Sequence, residues 1–261
     1  MNFLVANGIR LAYQIDGPED APVLVLVNSL GTNLHMWEPQ MARFSRALRV
    51  VRYDCRGHGA SEAPVEEYTI EQLGCDLLGL LDGLQIGRAH ICGLSLGGMV
   101  ALWLAANAPE RVDRAVFADT AARIGTAESW NTRLALVSAG GMGAIGEMVL
   151  ARFLSERFRR QHPEMALQIR DMIEATNPQG YIGACAALRD ADLHAILPAI
   201  HIPSLIIVGE EDEATPPAQV QDLHSTLRRS ELVMLREAAH LSNVEQPEAF
   251  SSEVLAFLSL A

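Results

Sequence analysis

The hexapeptide Gly93-Leu94-Ser95-Leu96-Gly97-Gly98 sets a hydroxyl among small residues. A strand pattern, Ala89 to Gly93, leads into it and an apolar helical pattern, Leu96 to Ala106, leaves it. Small flanking residues permit a tight strand-to-helix turn. Such a turn lifts the hydroxyl to a helix N-terminus, where backbone N–H groups and the helix dipole favour a developing oxyanion. This is the signature of a nucleophile elbow. A serine hydroxyl is a poor nucleophile until a base takes its proton, and the base needs an acid to hold it in one tautomer. The expected chain order is Ser, acid, His. The strand pattern Leu205 to Val208 runs into Gly209-Glu210-Glu211-Asp212, and the pattern Leu232 to Leu235 is followed by Ala238-Ala239-His240. Asp212 and His240 therefore fall past strand C-termini, on the sheet edge where Ser95 also lies and loops converge.

Other residues compete for these roles. Asp119 follows the strand pattern Ala115 to Ala118 and is the rival acid, but the Gly-x-x-Asp turn at Asp212 follows the strand that best fits the position. His90 falls inside a strand, and His162, His201 and His224 lie beside helix or linker signals, so structural or solvated roles are expected for them. His35 stands near the loop after Val27 and is a further candidate for lining a pocket. An oxyanion needs a second donor besides the N–H of Leu96. The loop Asn28-Ser29-Leu30-Gly31 supplies a candidate in the N–H of Leu30.

Positioning these groups requires a sheet. Phe3 to Ala6 and Ile9 to Ile15 alternate on either side of Asn7-Gly8, a pair that favours the positive φ angles of a tight hairpin. Pro22 to Val27 is a continuous apolar run of the kind found in a parallel strand buried on both faces, and Val50 to Asp54 is a further strand pattern. Helical patterns cover Met36 to Ala47, Ile70 to Leu84, Pro217 to Leu227 and Pro247 to Leu258. Strands alternating with helices predict an α/β chain with a parallel sheet and helices on both faces. The alternation stops between Gly125 and Asp190, where helical patterns run without a strand and read as an insertion.

Composition narrows the chemistry. Of 261 residues, 49% are hydrophobic, which suits one large domain or a domain with an insertion. All 20 basic residues are Arg, so chemistry that needs an ε-amine is excluded: a pyridoxal Schiff base, a lysine aldolase or a P-loop. The net charge of -12 argues against nucleic acid or an anionic membrane as partner. All of that excess lies outside 125–190, which carries 7 Arg and 7 acidic residues. Cys55, Cys75, Cys92 and Cys185 show no short pairing or metal-ligand spacing, so a reduced, cytoplasmic chain is expected. Neither a secretory signal nor a membrane span is read from the sequence, and no metal or organic cofactor is called for.

Together the elbow at Ser95, the run Asp54-Cys55-Arg56-Gly57-His58-Gly59-Ala60-Ser61, the acid turn ending at Asp212 and Ala239-His240 resemble the α/β-hydrolase fold family over essentially the whole chain. The resemblance implies an eight-stranded, mostly parallel sheet, a core at 1–124 and 191–261, and a helical cap at 125–190 inserted after the sixth strand. It implies a framing role for 54–61, with Arg56 structural. Many members carry His-Gly where this chain has Asn28-Ser29, a change that alters polarity beside the oxyanion hole while leaving the main-chain donor in place. More narrowly, the elbow and Glu128-Ser129-Trp130-Asn131-Thr132-Arg133 are similar to bacterial 3-oxoadipate enol-lactonases of the β-ketoadipate pathway. That likeness implies a small anionic lactone as substrate. A substrate carboxylate in an acidic protein favours a bidentate, permanently charged partner. Arg133 is expected to bind it and Trp130, one helical turn earlier, to wall the ring. The alternatives are a general carboxylesterase or carbon–carbon bond hydrolase of the same fold, and a non-catalytic receptor.

Overall fold

The computed structural model describes residues 1–259. Its eight strands are β1 (Asn2–Ala6), β2 (Ile9–Asp16), β3 (Val23–Val27), β4 (Arg49–Tyr53), β5 (Ala89–Leu94), β6 (Val112–Ala118), β7 (Ser204–Gly209) and β8 (Ser230–Leu235). They form one sheet in the order β1-β2-β4-β3-β5-β6-β7-β8. β1 pairs antiparallel with β2, and β2 antiparallel with β4. Every pairing from β4 onward along the sheet is parallel. The hairpin turn has Asn7 at φ 47° and Gly8 at φ 81°, as the Asn-Gly pair predicts.

The register aligns the ends that matter. Val27 pairs with Gly93, Leu94 with Ala118, Ala118 with Ile207, and Gly209 with Leu235. The loops beginning at Asn28, Ser95, Asp119, Glu210 and Arg236 therefore leave one edge of the sheet together. Central strands are apolar on both faces because both are covered: Leu24 to Val27 and every residue of β7 are buried.

Helices α1 (Glu38–Phe44) and α11 (Pro247–Ser259) pack against each other, as do α2 (Ile70–Gly83) and α3 (Leu96–Asn107). Between β6 and β7 lie α4 (Ala127–Gly140), α5 (Gly146–Phe153), α6 (Glu156–Gln161), α7 (Pro163–Glu174) and α8 (Pro178–Asp190). The α4 helix packs on α8, and α5 on α7. The last two helices before α11 are α9 (Pro217–Thr226) and α10 (Ser242–Glu245).

Most expected elements hold with end shifts of one to three residues, and one breaks. The pattern Met36 to Ala47 divides into a 3-10 turn, Leu34–Trp37, and α1, which stops at Phe44. The Asn33 side chain caps the turn by accepting from the His35 N–H, and Pro39, which has no N–H to donate, sits at the start of α1. The strand expected at Val50 to Asp54 ends at Tyr53, although the Asp54 N–H still donates to the Ala12 carbonyl at 2.9 Å; the Asp54 carboxylate accepts the Leu34 and Ala60 N–H groups. β6 begins earlier than Ala115, at Val112, because Val112 pairs with Ala89.

Candidate active site

Ser95 sits between β5 and α3 with φ 58° and ψ -114°, a backbone conformation that L-residues hold only when their surroundings enforce it. The enforcement is visible. Its N–H donates to the Ala118 carbonyl at 2.9 Å, and its carbonyl accepts from Thr120 Oγ1 at 2.8 Å and from the Met99 N–H at 3.0 Å. Glycine is required at both flanks, since a Cβ on Gly93 would collide with the Gly97 carbonyl and one on Gly97 with the Val27 carbonyl. The next N–H, of Leu96, opens α3 at the positive end of the helix dipole.

The Asp212 carboxylate accepts from the Ala214 N–H at 2.7 Å, the Thr215 N–H at 3.0 Å and Thr215 Oγ1 at 2.6 Å. Its Oδ2 also meets His240 Nδ1 at 2.9 Å. Burial alone would push its pKa up, but the His240 charge and these hydrogen bonds outweigh it, so Asp212 titrates below the usual carboxylate range. An ionised Asp212 can only accept. His240 Nδ1 therefore carries the proton and Nε2 keeps its lone pair. The His240 ring packs against Phe153, with centroids 5.3 Å apart.

Asp119, the rival acid, is fully buried and bonded elsewhere. It accepts from the Gly209 N–H at 2.8 Å and meets Ser242 Oγ at 2.5 Å. Burial, together with the negative charge of Asp212, raises its pKa well above the ordinary value.

Ser95, His240, Leu30, Trp130 and Arg133 line one cavity of about 550 Å³, counted with its mouth. Trp130 is buried and donates its indole N–H to the Ile124 carbonyl at 2.6 Å. The Arg133 guanidinium lies over that indole, 5.0 Å from the ring centroid, and reaches the Tyr181 hydroxyl at 3.5 Å. Among the described residues no carboxylate comes within 4 Å of it. Arg56 is different: it makes a two-pronged pair with buried Asp76, at 2.8 and 2.7 Å, and is structural as expected. His35 is not in this cavity. It lies exposed beside Glu38, at 3.1 Å, and faces a separate depression with Met165 and Met172.

Three contributors were given no individual role in the sequence reading. Arg152 and Phe153, at the end of α5, line the same cavity on the His240 side. His58 is buried beneath the loop that carries Leu30. Its Nε2 accepts the Gly31 N–H at 3.0 Å and its Nδ1 meets the Arg56 carbonyl at 3.0 Å, while Asp54 Oδ1 accepts the Leu34 N–H at 2.8 Å. The segment 54–61 thus braces 30–34 from below. The histidine in it was the visible signal, but its partner lies 27 residues away. No group of three or more His, Cys, Asp or Glu among the described residues has the arrangement to hold a metal. None of the described helices is long and apolar enough to cross a membrane.

Residues 22–247 match the alpha/beta hydrolase fold family. The chain is 42% identical over 255 residues to 3-oxoadipate enol-lactonase 2 of Acinetobacter baylyi, covering 98% of this chain and 95% of that protein. It is 31% identical over 258 residues to a Variovorax paradoxus protein named as a carbamate hydrolase, covering 95% and 96%. Among solved structures, the enol-lactonase from Burkholderia xenovorans LB400 superposes with a TM-score of 0.97 at 43% identity, covering 99% of this chain and 100% of that one.

Proposed function

The chain belongs to the α/β-hydrolase fold family and is a hydrolase, and from that premise we propose that it opens 3-oxoadipate enol-lactone to 3-oxoadipate with Ser95, His240 and Asp212 as its catalytic triad. Ser95 Oγ attacks the ring carbonyl while His240 Nε2 takes its proton. Asp212 stabilises the imidazolium that forms. The N–H groups of Leu96 and Leu30 hold the oxyanion. Collapse of the tetrahedral intermediate breaks the acyl–oxygen bond and expels an enolate, which takes a proton and ketonises. Water activated by His240 then releases the acyl group, and no metal or organic cofactor enters. The helical segment 125–190 serves as a cap that carries the binding residues over Ser95.

The observation that carries the substrate class is Arg133. It is a cation with no carboxylate partner among the described residues, laid over Trp130 in the cavity of Ser95 and His240. Leaving such a charge part-buried is costly unless an anion arrives to meet it. The named activity of the Acinetobacter and Burkholderia relatives supplies an anion of the right kind. A neutral ester makes no use of that charge.

The test is a turnover panel of the enol-lactone, neutral 4-nitrophenyl esters and a carbamate, run on the native enzyme and on Arg133→Met. The expected result is preference for the lactone and a rise in its KM of about tenfold or more in the variant, from loss of a charge-assisted hydrogen bond. The neutral ester should change far less. Equal effects on both substrates would sink the assignment.

A further inference from the structure

A second arginine, the exposed Arg152, lines the rim of the cavity, and the ring-opening chemistry has a use for it. Arg152 ends α5 beside Phe153, whose ring packs on His240, and its Nη2 donates to the Glu213 carbonyl at 3.4 Å, next to Asp212. It therefore stands on the His240 side of the cavity, whereas Arg133 stands on the Trp130 and Tyr181 side. Neighbouring arginines on the outer surface are neutralised: Arg157 by Glu211 at 2.9 Å, Arg160 by Glu156, and Arg159 by Glu147 at 3.9 Å. Arg152 shares an outer depression with Glu156, Glu210, Glu211 and Glu213, yet among the described residues no carboxylate lies within 4 Å of its guanidinium.

Hydrolysis adds one water, breaks the acyl–oxygen bond and releases one proton. A lactone that enters with one carboxylate leaves with two, and the new one is born at the carbon bonded to Ser95 Oγ, beside His240. We propose that Arg152 forms a second carboxylate subsite, so that Arg133 and Arg152 together hold a short-chain dicarboxylate, the class to which the reaction's own product belongs. The inference rests on the lactonase reading for the identity of that product, and its test does not. A dicarboxylate held at both ends slows its own release and competes with incoming substrate. The enzyme is thereby restrained by its product through a residue distinct from the one that recognises the substrate's arm.

Adipate and hexanoate, six-carbon chains with two and one carboxylates, are compared as competitive inhibitors of 4-nitrophenyl acetate hydrolysis in the native enzyme, Arg152→Gln and Arg133→Met. In the native enzyme adipate should bind about tenfold more tightly than hexanoate. Arg152→Gln should erase that ratio while leaving the hexanoate constant in place, which also reports an intact cavity. Arg133→Met should weaken both acids. An unchanged adipate-to-hexanoate ratio in Arg152→Gln, or no preference in the native enzyme, overturns the subsite. If the ratio behaves as expected but the enol-lactone is not turned over, the substrate assignment fails and the subsite stands.

Discussion

Replacing His58 separates a structural histidine from one that positions a catalytic donor. Its Nε2 accepts the Gly31 N–H at 3.0 Å, and its Nδ1 meets the Arg56 carbonyl at 3.0 Å, so the buried ring is neutral with its proton on Nδ1. Burial lowers its pKa, in keeping with that tautomer. Gly31 follows Leu30, whose N–H is the second oxyanion donor of the proposed mechanism. In His58→Phe the ring volume is roughly kept but the acceptor is gone. A buried N–H left unpaired costs about 1–3 kcal/mol, so the loop shifts to re-pair it and carries the Leu30 donor off line. Deleting one oxyanion donor outright costs about 10²–10³ in kcat. A displaced donor retains part of its effect, so the expected loss is about ten- to hundredfold in kcat, with KM changed by less than about threefold. In His58→Gln the side-chain amide again offers an acceptor and a donor, and most of kcat should return. The assay is steady-state hydrolysis of a neutral 4-nitrophenyl ester, paired with inhibition by an alkyl boronic acid, whose serine adduct carries the tetrahedral oxyanion. Boronate affinity should fall in parallel with kcat, while hexanoate affinity stays level. Native kcat in His58→Phe would refute the reasoning. So would a His58→Gln variant as impaired as His58→Phe, because ring shape rather than hydrogen bonding would then explain the loss.

The same histidine sets a pH dependence. Its folded pKa lies below the unfolded value of about 6.5, so the unfolded chain takes the proton first as pH falls. The stabilisation is complete above about pH 6.5 and shrinks below it, and Tm measured between pH 7 and 5 should fall less steeply in His58→Gln than in the native protein. The two buried aspartates should respond in opposite ways to amide substitution. Asp212→Asn removes the acceptor that fixes the His240 tautomer and should cost about 10⁴-fold in kcat, read in the same ester assay. Asp119→Asn keeps the shape that meets Ser242 and Gly209 and removes a group whose folded pKa is raised. Such a group stabilises fully below an unfolded pKa of about 3.9 and loses that contribution as pH rises through its folded value. Asp119→Asn should therefore raise Tm at pH 8 by about 2–4 °C for each kcal/mol recovered, with kcat within about threefold. A loss of activity equal to that of Asp212→Asn would show that Asp119 is the acid after all.

The residues legible in the sequence were those whose placement depends on a local rule. Ser95 announces itself because the turn tolerates only small flanks, and a side chain at Gly93 or Gly97 would strike backbone. That Asp212 and His240 meet, at 2.9 Å, was legible because both follow the ends of short apolar strands, and strand ends of a parallel sheet share one edge. The rival Asp119 was legible too, at the same edge. What separates the two is a partner choice, Ser242 for one and His240 for the other, made by residues far along the chain. His35 shows the limit of proximity in sequence: it follows the oxyanion loop closely, yet the 3-10 turn capped by Asn33 carries it outward to Glu38. Arg152 had no local signature, being one arginine among seven in its segment, and the His58 brace showed only as a histidine in 54–61 whose partner lies 27 residues away.

Arg133 and Arg152 also change what the net charge means. A chain at -12 repels an anion at a distance, but at physiological salt that field fades over about 8 Å, while the two guanidinium groups act at contact. Overall charge therefore governs approach and solubility, and the cavity governs holding. The distinction depends on where the other arginines are spent. Arg52 is buried against Asp16 and Glu38, and Arg56 against Asp76 and Glu66, so the core's cations are consumed in structure. The segment that supplies the cavity's upper wall is neutral overall, yet two of its arginines have no carboxylate at salt-bridge distance among the described residues. A guanidinium suits that position better than an ammonium would: it is weakly hydrated, stacks on Trp130, and still presents N–H donors in a planar fork. Under the proposed function the acidic surface and the two cavity arginines are thus compatible parts of one design, in which an anion would not be drawn in from afar but would be held once it arrives.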